Sequence, residues 1–204
     1  GDVYKRQGEK SVSASADYTL RINKISNTVY YHKNTDDEVT NCPSSDFTNG
    51  NSISVLGSAP VRVGYTFVAW NTKADGTGDS YKIGDTISWT DETGNGGIRI
   101  DLYAQWKANT YTVTFNANGG AAVEPITVTY DGKYDGVPKT SPLIGFNSGK
   151  FWNLVDADGN VTDTKITKSS TVETARDHTL FMVRSLATPV SYTHLRAHET
   201  LSDL

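Results

Sequence analysis

The sequence predicts a mainly β protein made of two small tandem modules with little helix. Thr, Asn, Asp, Gly, Val and Tyr are abundant and Met occurs once, which is typical of strands joined by tight turns. Apolar and polar residues alternate in several short segments, as they do in strands with one buried face. A pattern of Gly, Phe, Trp and Asn at residues 64–71 returns in a looser form at residues 145–153. Two copies in a short chain indicate tandem repeats and favour a spacer, adhesin or binding array over an enzyme.

Both ends of the chain are predicted to be artificial. One short DNA sequence encodes residues 2–7, and its opposite strand, translated in another frame, encodes residues 190–194. This DNA resembles the transposon adapter used to prepare sequencing libraries. Residues 1–7 and most of residues 187–204 are therefore excluded from fold reasoning, and the lack of a visible signal peptide or wall anchor is uninformative.

The first module is predicted over residues 28–108. Residues 8–27 precede it and resemble the end of another module, because apolar and polar residues alternate at 18–22. Within the first module, Asp75-Gly76 indicates a hairpin turn, and residues 100–106 alternate as a final strand. Residues 91–97 form a Gly-rich loop.

The second module is predicted over residues 109–186. Residues 111–117 and 126–130 alternate as strands, and they are followed by turn signals at 118–120 and 131–132. Asp158-Gly159 indicates another hairpin turn. Residues 170–176 form the best helix candidate, although such a short helix is stable only when packed on a sheet. The joint at residues 107–109 is very short, so the two modules are expected to be restrained in orientation.

Three blocks of this sequence resemble the signature of a known family, the Listeria–Bacteroides repeat or internalin-type B-repeat. They read Tyr-Thr-Val-Thr-Phe-Asn-Ala-Asn-Gly-Gly at 111–120, Gly-Tyr-Thr-Phe-Val-Ala-Trp-Asn at 64–71 and Leu-Tyr-Ala-Gln-Trp at 102–106. Neither module has all three blocks intact, and the second ends with Arg184 in place of a Trp. The resemblance covers most of residues 28–186. It implies small α+β, β-grasp-like modules of antiparallel or mixed sheet. Such modules occur in bacterial surface and secreted proteins, as stalks or weak adhesive units without shared catalytic residues.

Composition excludes several classes of function. The net charge of −4 and the absence of a basic run argue against nucleic-acid binding. No apolar stretch approaches the length that spans a membrane. The single Cys42 excludes an intrachain disulfide framework. No phosphate loop, zinc spacing or nucleophile elbow is present, so neither enzymatic activity nor a cofactor is expected.

Large apolar residues in phase within the strands are predicted to form the core, since each aromatic ring buries about 150–250 Å². Phe67 and Trp70 are out of phase in a regular strand, so either one is exposed or a β-bulge lies between them. The predicted core consists of Phe67, Trp70, Leu102, Trp106, Val113, Phe115, Trp152 and Leu180.

The candidate binding residues are Trp89, Tyr65 and Tyr103, whose rings would suit a contact with protein or sugar. Asp156, Asp158 and Asn160 form a weak calcium candidate, for which the alternative is an ordinary β-turn. His32 and His178 are expected to be exposed polar residues near sheet edges, not metal ligands.

The leading hypothesis is a non-enzymatic extracellular repeat of a bacterial cell-surface or secreted protein. It would act as a stalk and as a weak multivalent adhesion module for protein or glycan. The alternative is a carbohydrate-binding module of a secreted glycan-active enzyme, which a row of exposed coplanar rings would favour. Expected partners are surface proteins or glycans of a host or neighbouring cell, together with further repeats of the same chain. Nucleic acid and membrane insertion of this segment are not expected.

Overall fold

The computed structural model describes residues 25–90, 92, 96–138, 143 and 151–185. All regular elements in these ranges are β-strands, which confirms the prediction of a mainly β fold. No helix in the described ranges has the length and apolar character needed to cross a bilayer. The predicted strand at 18–22 and the second copy's Gly145 lie outside the described residues.

The fourteen strands of the described residues divide between the two modules. The first module contains β1 (Asn27–His32), β2 (Val39–Thr40), β3 (Ser45–Thr48), β4 (Ser52–Ser54), β5 (Val61–Arg62), β6 (Tyr65–Asn71), β7 (Ser80–Tyr81), β8 (Thr86–Ser88) and β9 (Arg99–Ala108). The second contains β10 (Thr110–Asn116), β11 (Ile126–Thr129), β12 (Phe151–Val155), β13 (Val161–Ile166) and β14 (His178–Val183).

Each module has one mixed sheet around a central parallel pair. The first sheet has the order β2-β5-β6-β9-β1-β3, with β7 also paired to β6, and β4 and β8 form a separate two-stranded ribbon. The second sheet has the order β11-β10-β14-β12-β13. β1 pairs in parallel with β9, and β10 pairs in parallel with β14, whereas the other pairs are antiparallel. In each module the opening and closing strands are therefore neighbours within the sheet.

The pairing register shows that the second sheet copies the first. Tyr31 lies opposite Leu102 in the first sheet, and Phe115 lies opposite Leu180 in the second. Two residues beyond each leucine, Ala104 faces Trp70 and Met182 faces Trp152. The two tryptophans therefore occupy equivalent positions.

Each sheet covers its own apolar cluster. Trp70, Leu102, Val113 and Leu180 have no measurable exposure, and Trp152 is 1% exposed. Three other predicted core residues, Phe67, Trp106 and Phe115, are partly buried and pack against these clusters. The burial reflects strand periodicity, because alternate residues of β9 and β14 point to the same side.

A β-bulge at Val68 explains the spacing of Phe67 and Trp70. The register of β6 against β9 shifts between Phe67 and Ala69, and Val68 is 55% exposed. The extra residue turns both rings toward the same core, with their centroids 5.2 Å apart.

Two local expectations were wrong. His178 lies on a central strand and is only 6% exposed, because it replaces an apolar residue on the core face of β14. Residues 170–176 contain no helix. Thr171 instead forms an isolated β-bridge with Lys133, and Val172 is fully buried, so extended pairing replaces a short helix.

Candidate functional site

The three candidate binding residues lie in three different places. Trp89 follows the β4–β8 ribbon and is half-buried against the first core. Tyr103 lies on the face of the first sheet opposite the core, here called the outer face. Tyr65 lies where the two modules meet. They therefore do not form a single site.

On the outer face, planar side chains from β1 and β9 are held together by polar contacts. The rings of His32 and Tyr103 stack with centroids 4.7 Å apart and planes 16° apart. Asp101 accepts a 2.7 Å hydrogen bond from His32 Nε2 and two from Arg99, at 2.7 and 2.8 Å. Arg99 Cζ in turn lies 4.3 Å from the centroid of the Tyr30 ring. The cluster is preorganised on the sheet.

Within this outer-face cluster, Arg99 and Asp101 stabilise each other in their charged forms. Hydrogen bonds from Arg99, and then from His32, lower the pKa of Asp101 to about 2. The same carboxylate raises the pKa of Arg99. Both groups therefore remain charged at neutral pH, and their charges compensate each other.

The second module does not repeat this outer-face cluster. At the positions equivalent to Tyr30 and Asp101 it has Thr114 and Thr179, whose hydroxyl oxygens are 2.8 Å apart. Because the backbone register is preserved while the outer face differs, the scaffold is common to both copies and this surface is specific to the first.

The joint between the modules is a single residue. Asn109 lies between β9 and β10, and it bonds to both modules through its backbone. Its N–H donates to the carbonyl of Gly64 at 2.9 Å, and its carbonyl accepts from the N–H of Tyr130 at 2.9 Å. The side-chain oxygen of Asn109 accepts a 2.6 Å bond from the Thr66 hydroxyl. The connection is therefore bonded on both sides.

Tyr65 carries the side-chain contacts across this joint. Its ring meets the edge of Tyr130, with centroids 5.6 Å apart and planes 80° apart. Its hydroxyl donates to Asp131 of the second module, and this bond is the main reason that the pKa of Tyr65 is raised. Arg62 covers the ring at 3.5 Å and pairs with Asp37 at 2.6 Å.

Gly64 allows the two modules to approach closely. It is buried and has a φ of +76°, in the left-handed region that glycine adopts readily. A Cβ atom at this position would lie only 2.3–2.4 Å from three carbon atoms of the Tyr130 ring, which is far closer than van der Waals contact. In the sequence, the Gly64-Tyr65 pair was the available indication of this contact. No neighbouring residue indicated that its partner is Tyr130.

The weak calcium candidate forms a hairpin turn. Asp156 Oδ1 accepts from the backbone N–H groups of Asp158 and Asn160 at 2.9 and 2.8 Å. These bonds lower the pKa of Asp156. Among the residues that the structure describes, no group of three or more His, Cys, Asp or Glu side chains could hold a metal ion. The carboxylate therefore stabilises the turn between β12 and β13.

Comparison with known proteins follows the same two-module division. A family model described as the Listeria-Bacteroides repeat domain matches residues 27–105 and 111–181, which confirms the resemblance noted from the sequence blocks. No solved structure matches the chain.

Two similar proteins come from Evansella cellulosilytica. One, provisionally named a Gly-rich membrane protein, is 42% identical over 83 residues, which are 41% of this chain and 8% of that protein. Another, provisionally named a membrane protein, is 39% identical over 64 residues, which are 31% of this chain and 9% of that protein. The chain thus matches only a small part of each relative.

Proposed function

The chain belongs to the Listeria-Bacteroides repeat domain family, and from this premise we propose that it is a non-enzymatic spacer in a bacterial surface protein. In this role, successive modules hold a distal part of the protein away from the cell envelope. The names of the two relatives describe membrane proteins, which supports a place at the envelope. We further propose that the segment lies outside the cell.

The observation that carries the spacer proposal is the bonded single-residue joint. A spacer needs modules that do not fold back on each other, and a flexible linker would not provide this. Asn109 is hydrogen-bonded to the first module through its N–H and to the second through its carbonyl. The packing of Tyr65 against Tyr130 adds a side-chain contact to this backbone connection.

A second candidate function is weak adhesion through the outer face of the first module, with a glycan or a surface protein as partner. The stacked rings of His32 and Tyr103 beside Asp101 favour it, because rings contact sugar C–H groups and carboxylates accept bonds from hydroxyls. The buried positions of Trp70 and Trp152 remove two rings from any sugar-binding row. The glycan-binding alternative therefore ranks second. Repetition would convert such weak contacts into avidity.

Display on a bacterial cell tests the spacer proposal. One, two or three copies of the chain are placed between a membrane anchor and a fluorescent tag, and the height of the tag above the membrane is measured. We expect equal increments of height for each added copy. Gly/Ser chains of matched length are the control, since their mean extension grows only with the square root of length. Tag heights that grow as they do in the Gly/Ser control would refute the proposal.

A glycan array tests the second candidate function. We expect the chain to bind to the array and the Tyr103→Ala variant to lose this binding.

A further inference from the structure

We infer that the turn at residues 62–66, here called the docking turn, is an interaction surface that selects which module can follow it. The partner it fits is a module with a Tyr-Asp corner directly after its edge strand, formed here by Tyr130 and Asp131 after β11. The inference rests on the proposed spacer function and identifies the neighbour that the spacer accepts.

The first part of the fit is steric. Gly64 places the backbone of the docking turn against the ring of Tyr130, at a distance that leaves no room for a side chain. The carbonyl of Gly64 also accepts the N–H of Asn109 at 2.9 Å. The turn therefore cannot move away from the ring without breaking the bond to the connecting residue.

The second part of the fit is a row of alternating charged and aromatic groups across the joint. Asp37 holds Arg62 at 2.6 Å, and the guanidinium of Arg62 covers one face of Tyr65 at 3.5 Å from its centroid. The edge-on ring of Tyr130 contacts Tyr65, and the Tyr65 hydroxyl donates to Asp131. Cation–π, edge-on aromatic and charge-assisted contacts each require a specific geometry. Such a combination discriminates between neighbours.

The first module does not carry the corner that the second module offers. β3 and β11 are equivalent edge strands, and their registers place Gly50 where the second module has Tyr130. The next residue is Asn51 in place of Asp131. A docking turn from a preceding module would find neither a ring nor a carboxylate at this place. The order of the two modules is therefore specified by the surfaces that meet.

The experiment compares Gly64→Ala with Gly84→Ala in the full chain. Gly84 has a similar φ of +85°, but a Cβ there would meet nothing within 4 Å, so this control carries the same backbone penalty without the ring. We expect Gly64→Ala to lower the melting temperature by roughly 5 °C or more beyond the control. Both changes are then repeated in a Tyr130→Ala background. In that background, we expect Gly64→Ala and Gly84→Ala to lower the melting temperature by similar amounts.

Residual dipolar couplings report the orientation of the modules in the same proteins. The unchanged chain and Gly84→Ala should align as one body, whereas Gly64→Ala should require two alignment tensors.

Tyr65→Phe is a milder variant that loses the bond to Asp131 without a clash. It should lower the melting temperature, while Tyr81→Phe, in the first core, should not.

Two results would overturn the inference. In one, Gly64→Ala still lowers the melting temperature more than Gly84→Ala does in the Tyr130→Ala background. The Tyr130 ring would then not be the group that requires a glycine at position 64. The other is an unchanged common alignment in every variant. Either result would leave the spacer proposal standing, because the backbone bonds of Asn109 to Gly64 and Tyr130 could keep the displayed tag at its height without a selective docking turn.

Discussion

At the scale of single residues, His178 shows how a titratable group is accommodated in a small core. Its Nδ1 lies 2.8 Å from the carbonyl of Arg176, and its Nε2 lies 2.9 Å from the hydroxyl of Tyr134. A neutral imidazole that donates from Nδ1 and accepts at Nε2 satisfies both partners. Burial lowers the pKa of His178. Protonation in the folded state is therefore unfavourable.

The second module is expected to lose stability in mild acid because of His178. Since its folded pKa lies below the unfolded value of about 6.5, the unfolded chain binds more protons. The contribution of His178 is thus complete above about pH 6.5 and decreases as the pH falls. Melting temperatures between pH 7.5 and 5 should drop further for the unsubstituted chain than for His178→Gln, which cannot titrate. Equal pH dependence in the two proteins would contradict this assignment.

Arg184 shows how one position can change residue and keep a contact. In the first module, Trp106 Nε1 donates to the Lys33 carbonyl at 2.9 Å. In the second module, Arg184 donates from Nη2 to the equivalent carbonyl of Ala117 at 2.7 Å. The donor is kept, while the edge-on contact that Trp106 makes with Phe67 in the first module depends on the indole ring.

At the scale of elements, β6 and β12 place equivalent tryptophans in two cores with different polar surroundings. Trp70 meets Tyr31 edge-on and Trp152 meets Phe115 edge-on, each with centroids 4.9 Å apart. Trp152 Nε1 donates to Pro138 O at 2.7 Å. Trp70 Nε1 has no hydrogen-bond partner among the described residues. The second core therefore uses the polar end of its indole, and the first does not.

Replacement of each tryptophan by phenylalanine should lower the free energy of unfolding by different amounts in the two cores. Trp152→Phe removes a hydrogen bond, whereas Trp70→Phe removes an unpaired N–H group, so we expect Trp152→Phe to cost about 1–2 kcal/mol more. Urea unfolding of the two variants measures the difference. Either Trp→Ala variant should cost about 3–5 kcal/mol and serves as the reference for full loss of the ring. A larger loss for Trp70→Phe than for Trp152→Phe would contradict the prediction.

At the scale of the whole molecule, each module has its own core, and the described contacts between them are concentrated at the joint. Val29, Trp70 and Leu102 belong to one cluster, while Val113 and Trp152 belong to the other. The two modules are thus separate packing units with a shared boundary, as expected for repeats that interact with their nearest neighbours.

The artificial ends predicted from the sequence should contribute nothing to these two units. We expect removal of residues 1–7 and 189–204 to leave the melting temperature unchanged, since the two apolar clusters are built from residues 29–182. Thermal unfolding of the trimmed and complete chains provides the comparison. A loss of several degrees on trimming would show that an end packs on a module.

The strands and turns were predictable because their signals are local. Alternation at 111–117 and 126–130 corresponds to β10 and β11. Asp75-Gly76 and Asp158-Gly159 lie in the connections of the β6–β7 and β12–β13 hairpins. The bulge at Val68 was one of two open possibilities, and only cross-strand register decided it. The helix candidate at residues 170–176 was wrong because the burial of Val172 outweighs a weak helix cap.

The sequence by itself determined the β class and the duplication, because periodicity and repetition are local properties of the chain. Tertiary structure alone decided that His178 is buried and that Tyr65 and Asp131, 66 residues apart, are bonded across the joint. The physical reason is that burial and pairing at these positions depend on which distant backbone comes within a few ångströms. Local sequence patterns do not determine that distance.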